Sequence, residues 1–330
     1  MDGNHQIELS TKAERNRKKI QSKIISCTNC QPYDEGEPVW IHGVRWELGE
    51  LFADYKVPED QWDAISGHLV CPDCGTEGFE TYMDVGIKSK FDIELDKYID
   101  QTLKKYKPQI QEFDELIEKT PLLAYSHKFG RKLYKDLKEL ELPITSIEGQ
   151  YYRAREAKNS KVLTKERMMH PPTGKSQEGR YNHSGQSHLY LSKDKHTAVE
   201  EVIGGEEDVV VWTVELGIDN VDKILDLTFD WTMTTPDTSP IYFALCGADF
   251  VNQSDRNKEL WKPDYFLTRY IMDCAKELGY NGIKYNSNKA SYIENVVLFY
   301  PEEVNIQPVD DPKLQIHKIK RPKVRELIDL

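Results

Sequence analysis

The sequence predicts an α+β protein whose β-rich part lies toward the C-terminus. Two observations carry this. Apolar strand-like runs such as Val209–Leu216 and Gly282–Tyr285 occur without regular alternation with helices, which argues against a doubly wound sheet. A Leu-, Ile-, Lys- and Glu-rich stretch over residues 88–141 reads as helix instead. A third observation divides the chain. Four of its six cysteines fall in two Cys-x-x-Cys pairs near the N-terminus. The resulting organisation is a polar basic arm (1–25), a four-cysteine module (26–85), a helical segment (86–148) and a β-rich domain (149–330).

The 330 residues can bury at least one sizeable core, and the net charge of −12 argues against a dedicated nucleic-acid binder. The run Lys12, Arg15, Arg17, Lys18, Lys19 and Lys23, opposed by Glu14, leaves nucleic acid as a weakly supported partner and reads first as a solvated helical arm. No apolar run reaches the ~18 residues of a membrane-spanning helix, and the N-terminus lacks a signal-peptide core. A cytoplasmic location without membrane contact is therefore expected.

Cys27–Cys30 and Cys71–Cys74 can each turn two sulfurs toward one ion, and the Cys-Pro-Asp-Cys-Gly form of the second is typical of zinc ribbons. In a reducing compartment this pattern favours metal over disulfides or a redox dithiol. Four thiolates leave no open coordination position, so a structural zinc is expected, with His42 and His68 left outside it. The 40 residues between the pairs are longer than the usual spacing, but Trp40, Trp46, Leu48, Leu51 and Trp62 equip them to pack as a unit.

In the helical segment, Leu95, Ile99 and Leu103 form a stripe at helical spacing, and Pro108, Pro121 and Pro143 are expected to divide it into three helices. No Arg-x4–6-His pair of a helical ribonuclease occurs there. Farther on, Val209–Leu216 and Lys223–Leu227 read as two strands. Pro263 and Gly279 bracket a helix over 264–278 whose apolar face includes Cys274, a core residue and not a nucleophile. Pro172-Thr173-Gly174-Lys175-Ser176 imitates the end of a P-loop. Met169 stands where the first glycine is required and no apolar strand precedes it, so ATP and GTP hydrolysis are excluded.

The chemistry concentrates between Gly179 and Val202. Arg180 can hold a phosphate, Tyr190 can stack on a flat ring, and a glutamate can grip a ribose hydroxyl. Gly179-Arg180-Tyr181-Asn182 precedes a strand at 188–191, and Ser192 is placed to cap a helix over 194–203 that carries Glu200 and Glu201. Helical periodicity does not choose between the two glutamates, since both flank the face made by Ala198, Val199, Val202 and Ile203. Together with Tyr152-Arg153 before this run and Tyr285-Asn286-Ser287 after it, these pieces resemble the RES family in order and spacing over residues 149–305. Tyr181 and His183-Ser184 replace the family's usual Trp and Pro-Pro, which alters the turn.

The resemblance implies a fold of ADP-ribosyltransferase type, a mixed β-sheet with flanking helices. It also implies cleavage of the nicotinamide–ribose bond of NAD, the small-molecule substrate. Among the glutamates it selects Glu201 to stabilise an oxocarbenium-like state and orient a 2′-hydroxyl. Arg153 and Arg180 would hold the pyrophosphate. Tyr190, with Tyr181 as a second ring, would stack on the nicotinamide or ribose. Ser287 would bond the substrate or Glu201, while Tyr152 and Asn182 would complete the binding set. The implied role is a toxin or defence effector with NAD glycohydrolase activity, restrained by a protein antitoxin or in cis by the N-terminal half. Transfer of ADP-ribose to a protein or nucleic acid is the rival outcome. A zinc-ribbon adaptor with an inert RES-like domain is another.

Overall fold

The computed structural model describes residues 9–157, 163–203, 209–247, 265–288, 290 and 292–317. The chain divides into two compact units, Met1–Ile99 and Asp100–Leu330. In the first unit, α1 (Thr11–Gln21) opens where the Ser10 hydroxyl accepts the Ala13 amide at 3.2 Å. It leads to β1 (Ile24–Cys27), a hairpin of β2 (Tyr33–Asp34) and β3 (Glu37–Pro38), then β4 (Val44–Glu47), α2 (Leu48–Asp54), α3 (Trp62–Ser66) and β5 (Asp84–Ile87). The central strand of the sheet is β5, flanked by antiparallel β1 and β4. A Cβ at Gly86 would lie 2.2 Å from Ser26 Oγ and 2.4 Å from the His42 carbonyl, so only glycine lets the strands close here.

Leu48, Leu51, Phe52, Ile65, Leu69 and Val85 are fully buried in this unit's core. The segment between the cysteine pairs thus packs as expected. The basic run is not a free solvated arm: it is α1, and Ala13 and Ile20 are buried in the same core.

A single helix, α4 (Lys90–Lys119), runs straight through Pro108. Three helices were expected; two form, because Pro108 sits on the exposed side, where the carbonyl it frees can be hydrated. The buried stripe is also farther along than expected. Tyr106, Ile110, Phe113 and Ile117 are buried, whereas Leu95, Ile99 and Leu103 are only partly so. After a 3₁₀ turn (Pro121–Ser126) comes α5 (Lys128–Lys138).

The sheet of the second unit is built from β6 (Ile144–Glu156), β7 (Leu189–Ser192), β8 (Val209–Leu227), β9 (Gly282–Asn286), β10 (Glu294–Leu298), β11 (Ile306–Pro308) and β12 (Lys313–His317). Its helices are α6 (Lys165–Met168), α7 (Lys195–Ile203), the short α8 (Pro240–Tyr242), which continues as a π turn, and α9 (Phe266–Glu277). The order is β11-β8-β6-β7-β10-β9, with β12 also on β8. The end of β8 returns to pair in parallel with β9, so β8, β6, β7, β10 and β9 close a ring. All other pairings are antiparallel, and the sheet is mixed.

The two strands expected at 209–216 and 223–227 are one strand. The chain stays extended through residues 217–222, because β6 pairs along almost the whole of β8, and Lys223 absorbs a local kink at φ 52°. Gly279, at φ 71°, ends α9 as expected, with its amide and that of Tyr280 bonded back to Lys276 and Ala275. Asp194, not Ser192, caps α7: its carboxylate accepts the Thr197 amide at 2.7 Å. Ser192 Oγ instead accepts the Asp194 amide at 3.3 Å. Pro263 lies outside the described residues.

From Asp100 onward the helical segment shares one core with the sheet and α9. Phe113, Phe129, Leu133 and Leu137 pack with Leu225, Ile271, Ile283 and Val297. Tyr270 Oη donates to the Gly130 carbonyl at 2.9 Å, and Tyr280 Oη to that of Leu137 at 3.0 Å. A chain cut at Gln150 would lose these contacts.

His188 is buried beside this core. Its Nδ1 lies 2.7 Å from the Tyr181 carbonyl and its Nε2 3.2 Å from Lys276 Nζ, which fixes the neutral ring with its proton on Nδ1. Burial pushes its pKa down to about 4 from 6.5. The unfolded chain therefore takes up this proton first, and stability is lost as the pH falls from about 6.5 toward 4. Thermal midpoints of the wild type and His188→Asn over this range should show a shallower acid slope in the variant.

Candidate functional site

The four-cysteine cluster lies in the first unit. Cys27 ends β1, Cys30 closes the 3₁₀ turn that follows, and Cys71 and Cys74 share a turn that Gly75, at φ 75°, closes by bonding its amide to the Cys71 carbonyl. Sulfur separations are 3.8 Å for Cys27–Cys30, 3.5 Å for Cys27–Cys74 and 3.6 Å for Cys30–Cys71, with all four within 4.8 Å of one another. A tetrahedral ion with metal–sulfur bonds of about 2.3 Å places its sulfurs about 3.8 Å apart. The cluster therefore fits one such ion. Burial raises the thiol pKa values of Cys27 and Cys30, so a bound cation is what would keep them as thiolates. His42 is exposed and His68 Nδ1 bonds the Ala64 carbonyl at 2.7 Å; neither belongs to the cluster.

In the second unit the Gly179–Asn182 turn is held from three sides. Gly179 N bonds the Asn182 carbonyl at 3.1 Å, and a Cβ at Gly179 would stand 2.7 Å from Asn182 Oδ1. Tyr190 Oη accepts the Tyr181 amide at 2.9 Å and donates to Asn182 Oδ1 at 2.9 Å. Asn182 Nδ2 in turn donates to the carbonyls of Gln177 and His183 at 2.7 and 2.9 Å. Thr268 Oγ1 on α9 donates to the Arg180 carbonyl at 2.7 Å. His183, which stands in the altered part of the turn, meets Asp273 of α9 at 2.8 Å. The motif's backbone is thus fixed before any ligand enters.

These contacts present Arg180 to a cavity of about 350 Å³ that is also lined by Tyr152, Arg153, Tyr190, Glu201, Tyr265, Tyr285 and Asn295. Its volume is within the range of small-molecule sites. The Arg180 guanidinium lies 5.6 Å from the Tyr265 ring and 5.2 Å from that of Tyr285. Burial works against its charge, yet Tyr181, Tyr285, Tyr265 and Glu201 around it hold its pKa above the ordinary value. Arg153 donates from one terminal nitrogen to the Tyr190 carbonyl at 3.0 Å. Burial, with Arg155 nearby, pulls it down to about 10, so it stays charged at neutral pH. Arg153 Nε and one terminal nitrogen of Arg180 are buried without a hydrogen-bond acceptor among the described residues. Two buried cationic donors left unmet suit an anionic ligand.

Of the two adjacent glutamates, Glu201 reaches the cavity. Its Oε1 accepts Ser287 Oγ at 2.6 Å and Asn295 Nδ2 at 2.9 Å. Glu200 is directed to His196, one turn back on α7, at 3.8 Å. Ser287 is buried and touches the carboxylate without lining the cavity.

The structure thus gathers Tyr152, Arg153, Arg180, Tyr190 and Glu201 around one space, with Ser287 just behind. It does not bring Tyr181 or Asn182 to it. Tyr181 is fully buried with its ring 4.9 Å from that of Tyr285, and Asn182 is consumed in closing the turn. The Tyr190 hydroxyl is likewise engaged in the turn, which leaves its ring for the cavity. Sequence reading missed Tyr265, Tyr285 and Asn295. Tyr285 lay within a quoted motif, but nothing in a strand reading of Asn295 marks it. The Gly174-Lys175-Ser176 stretch is a turn packed against the Gly185 turn, with Gly174 N bonded to the Gly185 carbonyl at 2.8 Å.

A mixed sheet carrying a glutamate, two guanidiniums and several aromatic rings around one cavity defines a site for an anionic, ring-bearing ligand. The chain belongs to the RES domain family, whose model matches residues 150–317, just over half of its length. No curated protein matches the chain. Among solved structures it is similar to one described as the crystal structure of the M. tuberculosis MbcT–MbcA toxin–antitoxin complex. The identity is 14% and the TM-score 0.38, over 56% of this chain and 92% of that one.

The sulfur geometry predicts one metal ion per chain by elemental analysis. Cys71→Ser should retain none and should lower the unfolding midpoint of the first unit, and prolonged chelation of the wild type should do the same.

Proposed function

We propose that the second unit cleaves the nicotinamide–ribose bond of NAD with water as the acceptor, and that the protein acts as a toxin or defence effector. The observation that carries this reading is the Glu201 carboxylate, held by Ser287 and Asn295 in the cavity that Arg180 and Arg153 line. Membership of the RES family and the order of its motif residues support the choice of substrate.

In this reading the guanidiniums take the pyrophosphate, and the Tyr190 and Tyr285 rings flank the nicotinamide riboside. The C1′–N bond breaks and its electron pair leaves with nicotinamide, which departs neutral. Positive charge builds on the ribose ring, where a fixed carboxylate stabilises it without reorganising. Water then bonds to C1′ and gives up a proton, so the products are nicotinamide, ADP-ribose and a proton. The Ser287 and Asn295 bonds hold the carboxylate in place through this charge change. The first unit would carry a structural zinc in its four-cysteine cluster, and a protein antitoxin would restrain the activity.

Glu201→Gln should lower nicotinamide release by roughly 10²–10³-fold with the unfolding transition unchanged. Glu200→Gln should leave it near wild type. Ser287→Ala should cost roughly tenfold in kcat, because it removes one of two bonds that position Glu201. NAD loss by Glu201→Gln at the wild-type rate would overturn the assignment. NAD labelled in its adenosine half separates the acceptors: label recovered as free ADP-ribose supports water, and label fixed on protein or nucleic acid would replace hydrolysis with transfer.

A further inference from the structure

A second cavity of about 530 Å³ adjoins the first and shares Arg153, Ala154, Tyr190 and Val202 with it. Three of its other lining residues, Arg155, Arg167 and Lys175, are cationic. Arg155 follows Arg153 at two residues on β6, so strand alternation turns both to the same side. Arg167, in the short helix α6, and Lys175, in the turn after it, line the same cavity beside neutral residues such as Ser176, Gln177 and Gln186. Arg155 donates to the backbone carbonyl of Arg167, which fixes its guanidinium beside the α6 segment. Among the described residues none of Arg155, Arg167 and Lys175 is in a salt bridge, and Glu156 is the one carboxylate lining this cavity. Such a concentration of positive charge is unexpected on a chain of net charge −12.

The charge count exceeds what NAD requires. Its pyrophosphate carries two negative charges, and Arg153 and Arg180 in the first cavity match them. A neutral adenosine beyond Arg153 would leave Arg155 and the exposed Arg167 and Lys175 without an anionic group of the ligand to bind. An added phosphomonoester, with a charge of about −1.5 to −2 at pH 7, would satisfy them. In dinucleotide sites an arginine near the adenosine ribose is what accommodates a 2′-phosphate.

We infer that the second cavity receives the adenosine half of the dinucleotide and that Arg155, Arg167 and Lys175 bind its 2′-phosphate, so that the protein prefers NADP to NAD. This rests on the dinucleotide reading above, with Arg153 at the junction of the two cavities as the pyrophosphate contact.

The test uses binding first, so that it does not depend on turnover. The full-length Glu201→Gln protein is titrated calorimetrically with adenosine 2′,5′-bisphosphate and with adenosine 5′-monophosphate, which differ only in the 2′-phosphate. The bisphosphate should bind roughly tenfold more tightly at low ionic strength. The gap should narrow as salt is added. It should close in Arg167→Ala combined with Lys175→Ala, while binding of the monophosphate stays unchanged. In the wild type, kcat/KM should favour NADP over NAD by a similar factor, and the same double substitution should remove the preference. Equal binding of the two nucleotides, or a gap that survives the double substitution, would overturn the inference. A gap with no cleavage of either dinucleotide would uphold the 2′-phosphate site and sink the proposed reaction instead.

Discussion

The site depends on one carboxylate oxygen. Glu201 Oε1 accepts from Ser287 Oγ and from Asn295 Nδ2, and these three residues come from α7, the position just past β9 and the start of β10. The arrangement needs β9 and β10 in register, which sets Asn295 opposite Tyr285. It needs β10 against β7, which sets Asn295 opposite Ser192, just before the Asp194 cap that starts α7. Shifting β10 by one residue would turn Asn295 to the other face and release the glutamate. The closed ring of strands is what keeps that register.

The guanidiniums impose the complementary constraint. Placing charged groups among aromatic rings is unfavourable unless their donors are met. Arg180 offsets part of this through the faces of Tyr265 and Tyr285, and Arg153 through the Tyr190 carbonyl. What remains unmet points to an anion as the missing partner. The same physics explains why the motif turn is so heavily bonded. The cost of holding Arg180 in place without a ligand is borne by Tyr190, Asn182 and Thr268, which fix its backbone. The site is organised in advance, and binding energy need not be spent on ordering it.

Local signals were legible in the sequence, and long-range ones were not. The gathering of the four cysteines followed from Cys-x-x-Cys spacing, since a turn decides where both sulfurs point. The end of α9 followed from Gly279, whose positive φ is a backbone demand. The α+β class followed from strand-like runs without regular alternation. By contrast, β8 reads as two strands because Gly217, Asp219, Asn220 and Asp222 interrupt the apolar pattern around Ile218 and Val221. Only its pairing with β6, distant in sequence, keeps it continuous. Pro108 reads as a helix break because the sequence does not say which side of α4 faces water. Asn295 is silent for the same reason: its role is defined by a carboxylate 94 residues away.

A motif read from sequence is therefore not a roll of ligand contacts. Gly179, Arg180, Tyr181 and Asn182 are consecutive, yet only Gly179 and Arg180 line the cavity that Glu201 enters. Tyr181 fills the core beneath it, and Asn182 ties the turn to Tyr190. Glycine at 179 is required by the nearness of Asn182 Oδ1. Losing any of the three would displace Arg180 and weaken the site as surely as losing the arginine, though none need touch the substrate. The two cases differ in a measurable way. A lost ligand contact leaves the fold's stability intact, whereas a lost turn contact lowers stability and affinity together. That distinction, and not membership of the motif, separates the residues that do the chemistry from those that hold them.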